Sequence, residues 1–163
     1  MDVVQYAVDG WGVGELYLEE GRLLYHELPR PVSQEDLSGG LSPGHGPRGH
    51  VLPLVEQLRA YFRGERVSFA EVEIDLSWAT PFQAALADVL RHVPYGDVVT
   101  YGELAALAGH PNAQRAAGTF CAGNRFPLVV PCHRVVAADG LGSYGSLGTD
   151  YKRRLLGLEG VAL

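Results

Sequence analysis

Cys132 and His133 stand side by side in the stretch Leu128–Val136, LVVPCHRVV, where a Pro-Cys-His-Arg tetrad is set between two apolar, β-branched runs. A thiol attacks as its thiolate, and an imidazole that takes its proton, directly or through water, enlarges the small thiolate fraction of an ordinary cysteine. Neighbouring side chains on a strand point to opposite faces, so direct contact requires a turn at Pro131-Cys132, or else a water relay. An imidazole acting as base also wants a carboxylate behind its far nitrogen, and spacing alone does not choose which. The other cysteine, Cys121, reads as a small buried hydrophobe. Two cysteines are too few for a disulfide framework or a four-cysteine zinc site, so the chemistry expected is thiol chemistry, with no metal and no cofactor.

The elements that must position this pair follow from patterning. Thr100-Tyr101-Gly102-Glu103 has capping-box form and predicts a short helix to about Ala108, ended by Gly109. A second helix, AQRAAGTFCAG, starts after Pro111-Asn112, and the two read as a helix-turn-helix. Its Ala116, Ala117, Gly118, Ala122 and Gly123 make a small-sided helix carrying one cation, Arg115. Such a helix suits close approach to a groove, or simply tight packing within the protein. Thr80-Pro81 predicts another helix through about Arg91, with Thr80 as N-cap.

Upstream the character is different. Residues 3–8 and 15–28 alternate like strands with a hairpin turn at Glu20-Gly21, and residues 67–76 alternate like a further strand. Gly10, Gly12 and Gly14 are spaced GxGxG ahead of a strand, not ahead of the helix a dinucleotide site requires. Residues 29–50 are crowded with Pro, Gly and Ser and predict loop; His45 and His50 within it read as solvated rather than as metal ligands. A helix is expected over Val51–Arg66, with Gly64 near its end. The division expected is 1–78, a β-rich lobe, and 79–163, a helical lobe.

The chain has 163 residues, 47% hydrophobic and 20% charged, which excludes disorder and collagen, and no apolar stretch approaches the roughly 20 residues of a membrane span. The N-terminus has no signal-peptide pattern, so a soluble cytoplasmic protein is expected. The formal charge of −6 conceals an asymmetry. Residues 1–110 hold 7 arginines against 16 acidic residues, a net of −9, whereas residues 111–163 hold 6 basic against 3 acidic, a net of +3. Only the C-terminal third suits a polyanion.

VVPCHRVV, together with TYGELAALAG and NAQRAAGTFCAGN before it and KRRLLGLEG after it, closely resembles the O6-alkylguanine-DNA alkyltransferase family, the methylated-DNA–protein-cysteine methyltransferases. The likeness runs almost unbroken over residues 80–160 and more loosely through QLRAYFRGE. It implies an α+β fold: an N-terminal mixed β lobe of ribonuclease-H-like topology, then a helical lobe with a helix-turn-helix of winged-helix type. It also implies a monomer that docks in the minor groove of double-stranded DNA and flips O6-alkylguanine into a pocket. By the same resemblance Cys132 is the alkyl acceptor, His133 its water-mediated base and Glu159 the carboxylate behind it. Asn124 braces the turn beside the site, and Tyr101 turns the target phosphate and supports proton delivery to the guanine. Arg115 fills the gap left by the extruded nucleotide, on a helix whose Ala116, Ala117 and Gly118 meet the DNA. The backbone carbonyls of Cys132 and Val135 accept from the guanine amine, and Tyr144 and Gly145 lie in the loop that closes over the base. Three departures bear on the pocket: Arg125 follows Asn124 where many relatives have proline, Gly145 replaces a small hydroxyl residue, and the loop before Lys152 differs in length.

The chemistry fits these roles. An O6-alkyl group lies on guanine's pairing edge, so the base must leave the stack, at a cost that a poorly paired lesion reduces. In-line displacement at the alkyl carbon leaves a thioether that nothing in the chain is placed to hydrolyse, so one molecule acts once. Three rivals are an alkyltransferase-like protein that binds lesions without chemistry, a major-groove regulator, and a Cys-His hydrolase. The first lacks the cysteine kept here, the second wants base-reading side chains where Ala and Gly stand, and the third would turn over.

Overall fold

The computed structural model of the chain describes residues 1–32 and 48–163, with side chains in the second stretch from Pro53 onward. His45 and the side chain of His50 lie outside the described residues, as does most of the segment read as loop. The chain divides into two compact units, Met1–Asp75 and Leu76–Leu163.

The first unit is built on an antiparallel meander of β1 (Asp2–Val8), β2 (Gly12–Glu19) and β3 (Arg22–Arg30). The β2–β3 hairpin turns at Glu20 and Gly21, with φ of 51° and 79°, the pair of left-handed residues that matches the twist of the flanking strands. Alternation holds on the inner face, where Val4, Tyr6, Leu16, Leu18, Leu23 and Leu28 are buried. Gly14 pairs with Tyr6 across β1 and β2, and a Cβ there would lie 2.6 Å from the Tyr6 ring. This glycine therefore makes room for a buried tyrosine, in keeping with a sheet and not a phosphate loop. The following helix, α1 (Arg48–Phe62), begins three residues earlier than the pattern predicts and buries Leu54, Val55, Leu58, Tyr61 and Phe62.

Residues 67–76 do not form the expected strand. The alternation is broken by a turn in which the Val72 N–H donates to the Phe69 carbonyl (3.1 Å), and only Ile74 bridges to Leu23. Two backbone bonds flank that bridge, Leu23 N to Glu73 O at 2.8 Å and Asp75 N to Leu23 O at 2.9 Å. A single bridge lets the segment lie along the edge of β3 without becoming a fourth strand.

The second unit carries α2 (Pro81–Arg91), β4 (Val99–Thr100), α3 (Tyr101–Leu107), α4 (Gln114–Ala122), β5 (Val135–Val136) and α5 (Thr149–Leu158). Two capping boxes start α2 and α3. Thr80 accepts from the Gln83 N–H and Thr100 from the Glu103 N–H, both at 3.1 Å, while Gln83 and Glu103 reach back to the cap amides. The core of this unit contains Leu86, Leu90, Leu104, Ala105, Phe126, Val130, Leu155 and Leu156. The pairing of β4 with β5 is parallel, Val99 to Val135 and Thr100 to Val136. That short pair brings Tyr101, the first residue of α3, beside the segment that holds Cys132. No helix among the described residues is long and apolar enough to cross a membrane.

Candidate active site

The run Leu128-Val129-Val130 has strand composition but folds as a turn. Leu128 takes φ of 73°, and the Val130 N–H closes back on the Phe126 carbonyl at 2.7 Å. Asn124 fastens this turn from both sides: its amide donates to the Val130 carbonyl at 2.8 Å and its oxygen accepts from the Phe126 N–H at 3.0 Å. The chain then enters a single 3₁₀ turn, Cys132–Arg134, ahead of β5. The turn required at Pro131-Cys132 is therefore present, and it packs Cys132, His133 and Arg134 inward together.

Behind the turn, His133 Nε2 lies 2.6 Å from Glu159 Oε2, and both side chains are fully enclosed. Glu159 comes from the C-terminal end of α5, 26 residues away, and spacing had left the choice of carboxylate open. Arg134, which the pattern did not single out, makes a two-pronged pair with the same carboxylate, Nε to Oε1 at 2.9 Å and Nη2 to Oε2 at 3.1 Å. Its Nη1 donates to the Val93 carbonyl at 2.8 Å, and the Gly96 N–H donates to Glu159 Oε1 at 2.9 Å. Burial alone would raise the Glu159 carboxyl, but the bonds and charges of His133 and then Arg134 outweigh it and hold the group down at about 2. Burial pushes the proton affinity of His133 the other way, below its usual range, against the pull of Glu159.

The Cys132 thiol is buried, and burial pushes its pKa up. The polar side chains of Asn124 and Tyr144 and the positive charge of Lys152 all act to bring it back down. Lys152 is the second residue that pattern reading missed. It is fully buried on α5, donates to the Val135 carbonyl at 2.6 Å and the Ser143 carbonyl at 3.1 Å, and sits 5.7 Å above the Tyr101 ring. Burial lowers its pKa and raises that of Tyr101. Cys121 is partly buried, and the same cause drives its thiol well above the usual range.

The other expected residues distribute around α4. Arg115 and Ala116 are exposed, and Gly118 faces Tyr101, with a Cβ there placed 3.8 Å from the ring. Ala117 departs from the outward face: it is fully buried, as a position two residues beyond Arg115 must be when Arg115 points outward. A groove of about 670 Å3 runs along α4 on the side away from Gly118, lined by Trp78, Phe82, Arg115, Ala116 and Phe120 among others, and it does not include Cys132. Arg125 lies with its guanidinium 4.2 Å from the centre of the Trp78 ring. Tyr144 is half-buried and Gly145 exposed, at the start of the 3₁₀ turn Gly145–Leu147.

Residues 81–161 match the family model described as the 6-O-methylguanine DNA methyltransferase, DNA binding domain. A methylated-DNA–protein-cysteine methyltransferase of Methanopyrus kandleri is 44% identical over 123 residues, covering 75% of this chain and 89% of that one. The chain belongs to the methylated-DNA–protein-cysteine methyltransferase family. A methyltransferase of the same name from Mycolicibacterium paratuberculosis is 46% identical over 106 residues, a stretch that spans 62% of that relative. The solved structure of Mycobacterium tuberculosis OGT in complex with DNA superposes with a TM-score of 0.76 at 33% identity, covering 97% of this chain and 92% of that one. As in those methyltransferases, the fold combines helices with a small antiparallel sheet. Tyr101, Asn124, Cys132, His133, Arg134, Tyr144, Lys152 and Glu159 all lie within the stretch that the methyltransferase family model matches.

Proposed function

We propose that this protein repairs DNA directly, moving the alkyl group of O6-alkylguanine onto Cys132 in a single, self-consuming reaction. The observation that carries the reading is the buried thiol of Cys132 on a one-turn element whose next residue, His133, is bound to the enclosed carboxylate of Glu159, in a chain of this family. The relatives' name and the DNA complex of the mycobacterial protein support the same substrate and partner.

In this reading His133 takes the Cys132 proton through a water molecule. Glu159 holds the ring with Nε2 as the protonated nitrogen, so Nδ1 is the basic one. The sulfur displaces the O6 oxygen at the alkyl carbon: the S–C bond forms as the O–C bond breaks. A proton delivered with the help of Tyr101 reaches the guanine as it leaves. Asn124, Tyr144 and Lys152 steady the thiolate meanwhile. The backbone carbonyls of Cys132 and Val135 hold the guanine amine, and Tyr144 and Gly145 cover the base. Guanine is restored and the thioether stays on the protein.

The α3–α4 pair serves as the helix-turn-helix, and the small residues Ala116, exposed, and Gly118, half-buried, let α4 enter the minor groove. Buried Ala117 contributes by letting α4 seat closely on its own core. Arg115 takes the place of the extruded nucleotide. The N-terminal lobe, a meander followed by α1, is assigned ribonuclease-H-like topology. A chemistry that needs the Cys132 thiol to stay reduced belongs in the cytoplasm. The retained acceptor cysteine argues against a protein that merely shields lesions.

The test is mass spectrometry of the protein after incubation with duplex DNA carrying one O6-methylguanine. The expected product is a protein one methylene heavier at Cys132, saturating at one equivalent, and Cys132→Ala binds the duplex without gaining mass. Release of free methanol, or transfer that persists in Cys132→Ala, overturns the reading.

A further inference from the structure

Glu159 is shared. Its Oε2 accepts from both His133 Nε2 and Arg134 Nη2, its Oε1 from Arg134 Nε and the Gly96 amide, and the three side chains are shut away from solvent. This differs from a carboxylate that serves an imidazole alone. A lone buried carboxylate draws a proton onto the ring beside it, whereas one already paired on both oxygens with a permanent cation has much less attraction left to give. Arg134 cannot swing away from that duty, because its third anchor is the Val93 carbonyl at 2.8 Å.

Among the described residues, two elements supply the charged groups that act most strongly on His133. Its own turn supplies Arg134 and also carries the titratable Cys132; α5 supplies Glu159 and Lys152. Of these, Glu159 favours the imidazolium, and the two cations oppose it, as does burial.

We propose that Arg134 is a positioning residue for the transfer reaction, one that keeps His133 a neutral imidazole protonated on Nε2 in the resting protein. Its significance for catalysis rests on the reading of Cys132 as acceptor and His133 as base. A ring already protonated from solvent has no lone pair for the thiol proton, so loss of Arg134 disables the base without touching thiol, lesion or DNA. The oxygens of Glu159 would also be free to turn, since a lysine in place of Arg134 keeps the charge but not the fork.

The experiment is nitrogen NMR of the full-length protein without DNA, with labelled histidine, the His133 signals being identified from the spectrum of H133Q. In the unaltered protein His133 is expected neutral near pH 7 with the pattern of an Nε2–H ring. Arg134→Met is expected to raise its titration midpoint by about one pH unit, roughly tenfold in proton affinity. Arg134→Lys is expected to raise it by less, and it carries the comparison alone if the methionine variant does not fold. A midpoint unmoved by these substitutions, or a doubly protonated ring near pH 7 in the unaltered protein, overturns the proposal. The titration needs no alkyl transfer, so the two readings fail separately. Normal transfer with an unmoved midpoint sinks the role of Arg134, and a shifted midpoint in a protein that transfers nothing sinks the repair reading alone.

Discussion

Lys152 Nζ donates to the Val135 carbonyl oxygen at 2.6 Å, so the carbonyl proposed to hold the guanine amine is already bound to a buried cation. A carbonyl has two lone pairs, and the second stays available to a base. The same ammonium group ties β5 to the Ser143 carbonyl and places a positive charge that favours the Cys132 thiolate.

Lys152→Met therefore removes two things at once. The Val135 carbonyl loses its buried donor, which costs on the order of 1–3 kcal/mol of stability, and the thiol loses a cation that lowers its pKa. Urea unfolding should show the first. The pH dependence of Cys132 alkylation by iodoacetamide, a reagent that needs no DNA, should move upward and show the second.

Glu159→Gln is expected to be worse for folding than for His133 alone. Glutamine still accepts from the ring, but Arg134 is left as a buried cation without its counterion, a defect costing about 3–5 kcal/mol. Chemical denaturation measures that loss, and transfer rates measured where the variant is folded should fall as well. A variant as stable as the parent would show that the Arg134–Glu159 pair contributes little net.

How far this site is legible in sequence depends on how local each signal is. The hairpin at Glu20-Gly21 and the caps at Thr80 and Thr100 rest on residues within four positions of one another, and they fold as the pattern predicts. Residues 67–76 alternate equally well, but a strand needs a partner along its length, and the Phe69–Val72 turn leaves one bridge. Cys132 and His133 are visible as neighbours. Arg134 and Lys152 are not visible as buried groups, because long cationic side chains are ordinarily exposed and only their partners, 25 and 17 residues away, reverse that preference. Ala117 is the converse: its size fits a groove-facing helix, and only the phase of α4 shows that it points inward.

Gly142 lies where α5, Tyr101 and the loop after β5 converge. It has φ of 79°, and a Cβ there would meet the Tyr101 hydroxyl at 3.0 Å and both the Ala137 amide nitrogen and Lys152 Nζ at 3.3 Å. Gly142→Ala is therefore strained by its backbone and crowds two groups of the site. A stability loss of about 1–2 kcal/mol is expected, with a fall in transfer rate from displacement of Tyr101. Gly148→Ala is the control: φ is 85° but nothing lies within 4 Å, so the strain is present without the crowding. Equal effects of the two on transfer would remove the crowding argument.

Acid should unfold the protein in two stages. His133 is held neutral below its ordinary value of 6.5, so below about 6.5 the unfolded chain takes up a proton that the folded chain refuses, and stability falls. Glu159 has its pKa lowered from 4.5 to about 2, so its contribution is complete above 4.5 and is lost as pH drops toward 2. Urea midpoints measured across this range should decline throughout. His133→Gln should flatten the upper stage and shrink the lower one, because His133 is the leading influence that holds the Glu159 carboxyl down.

Arg115 separates recognition from chemistry. It is exposed on α4, lines the groove that excludes Cys132, and has no ion-pair partner among the described residues. If it fills the space of an extruded nucleotide, its worth is realised only when a duplex must be opened, a step that costs a few kcal/mol. Arg115→Ala should then slow methyl transfer from duplex DNA by roughly ten- to a hundredfold, the equivalent of about 1.4–2.8 kcal/mol of that cost. Reaction with free O6-benzylguanine, which has no stack to leave, should keep the parent rate. A duplex in which the lesion is mismatched lies between the two, because less pairing is given up. Equal losses on all three substrates would place Arg115 in general DNA attraction or in folding, and no loss on the matched duplex would remove it from extrusion.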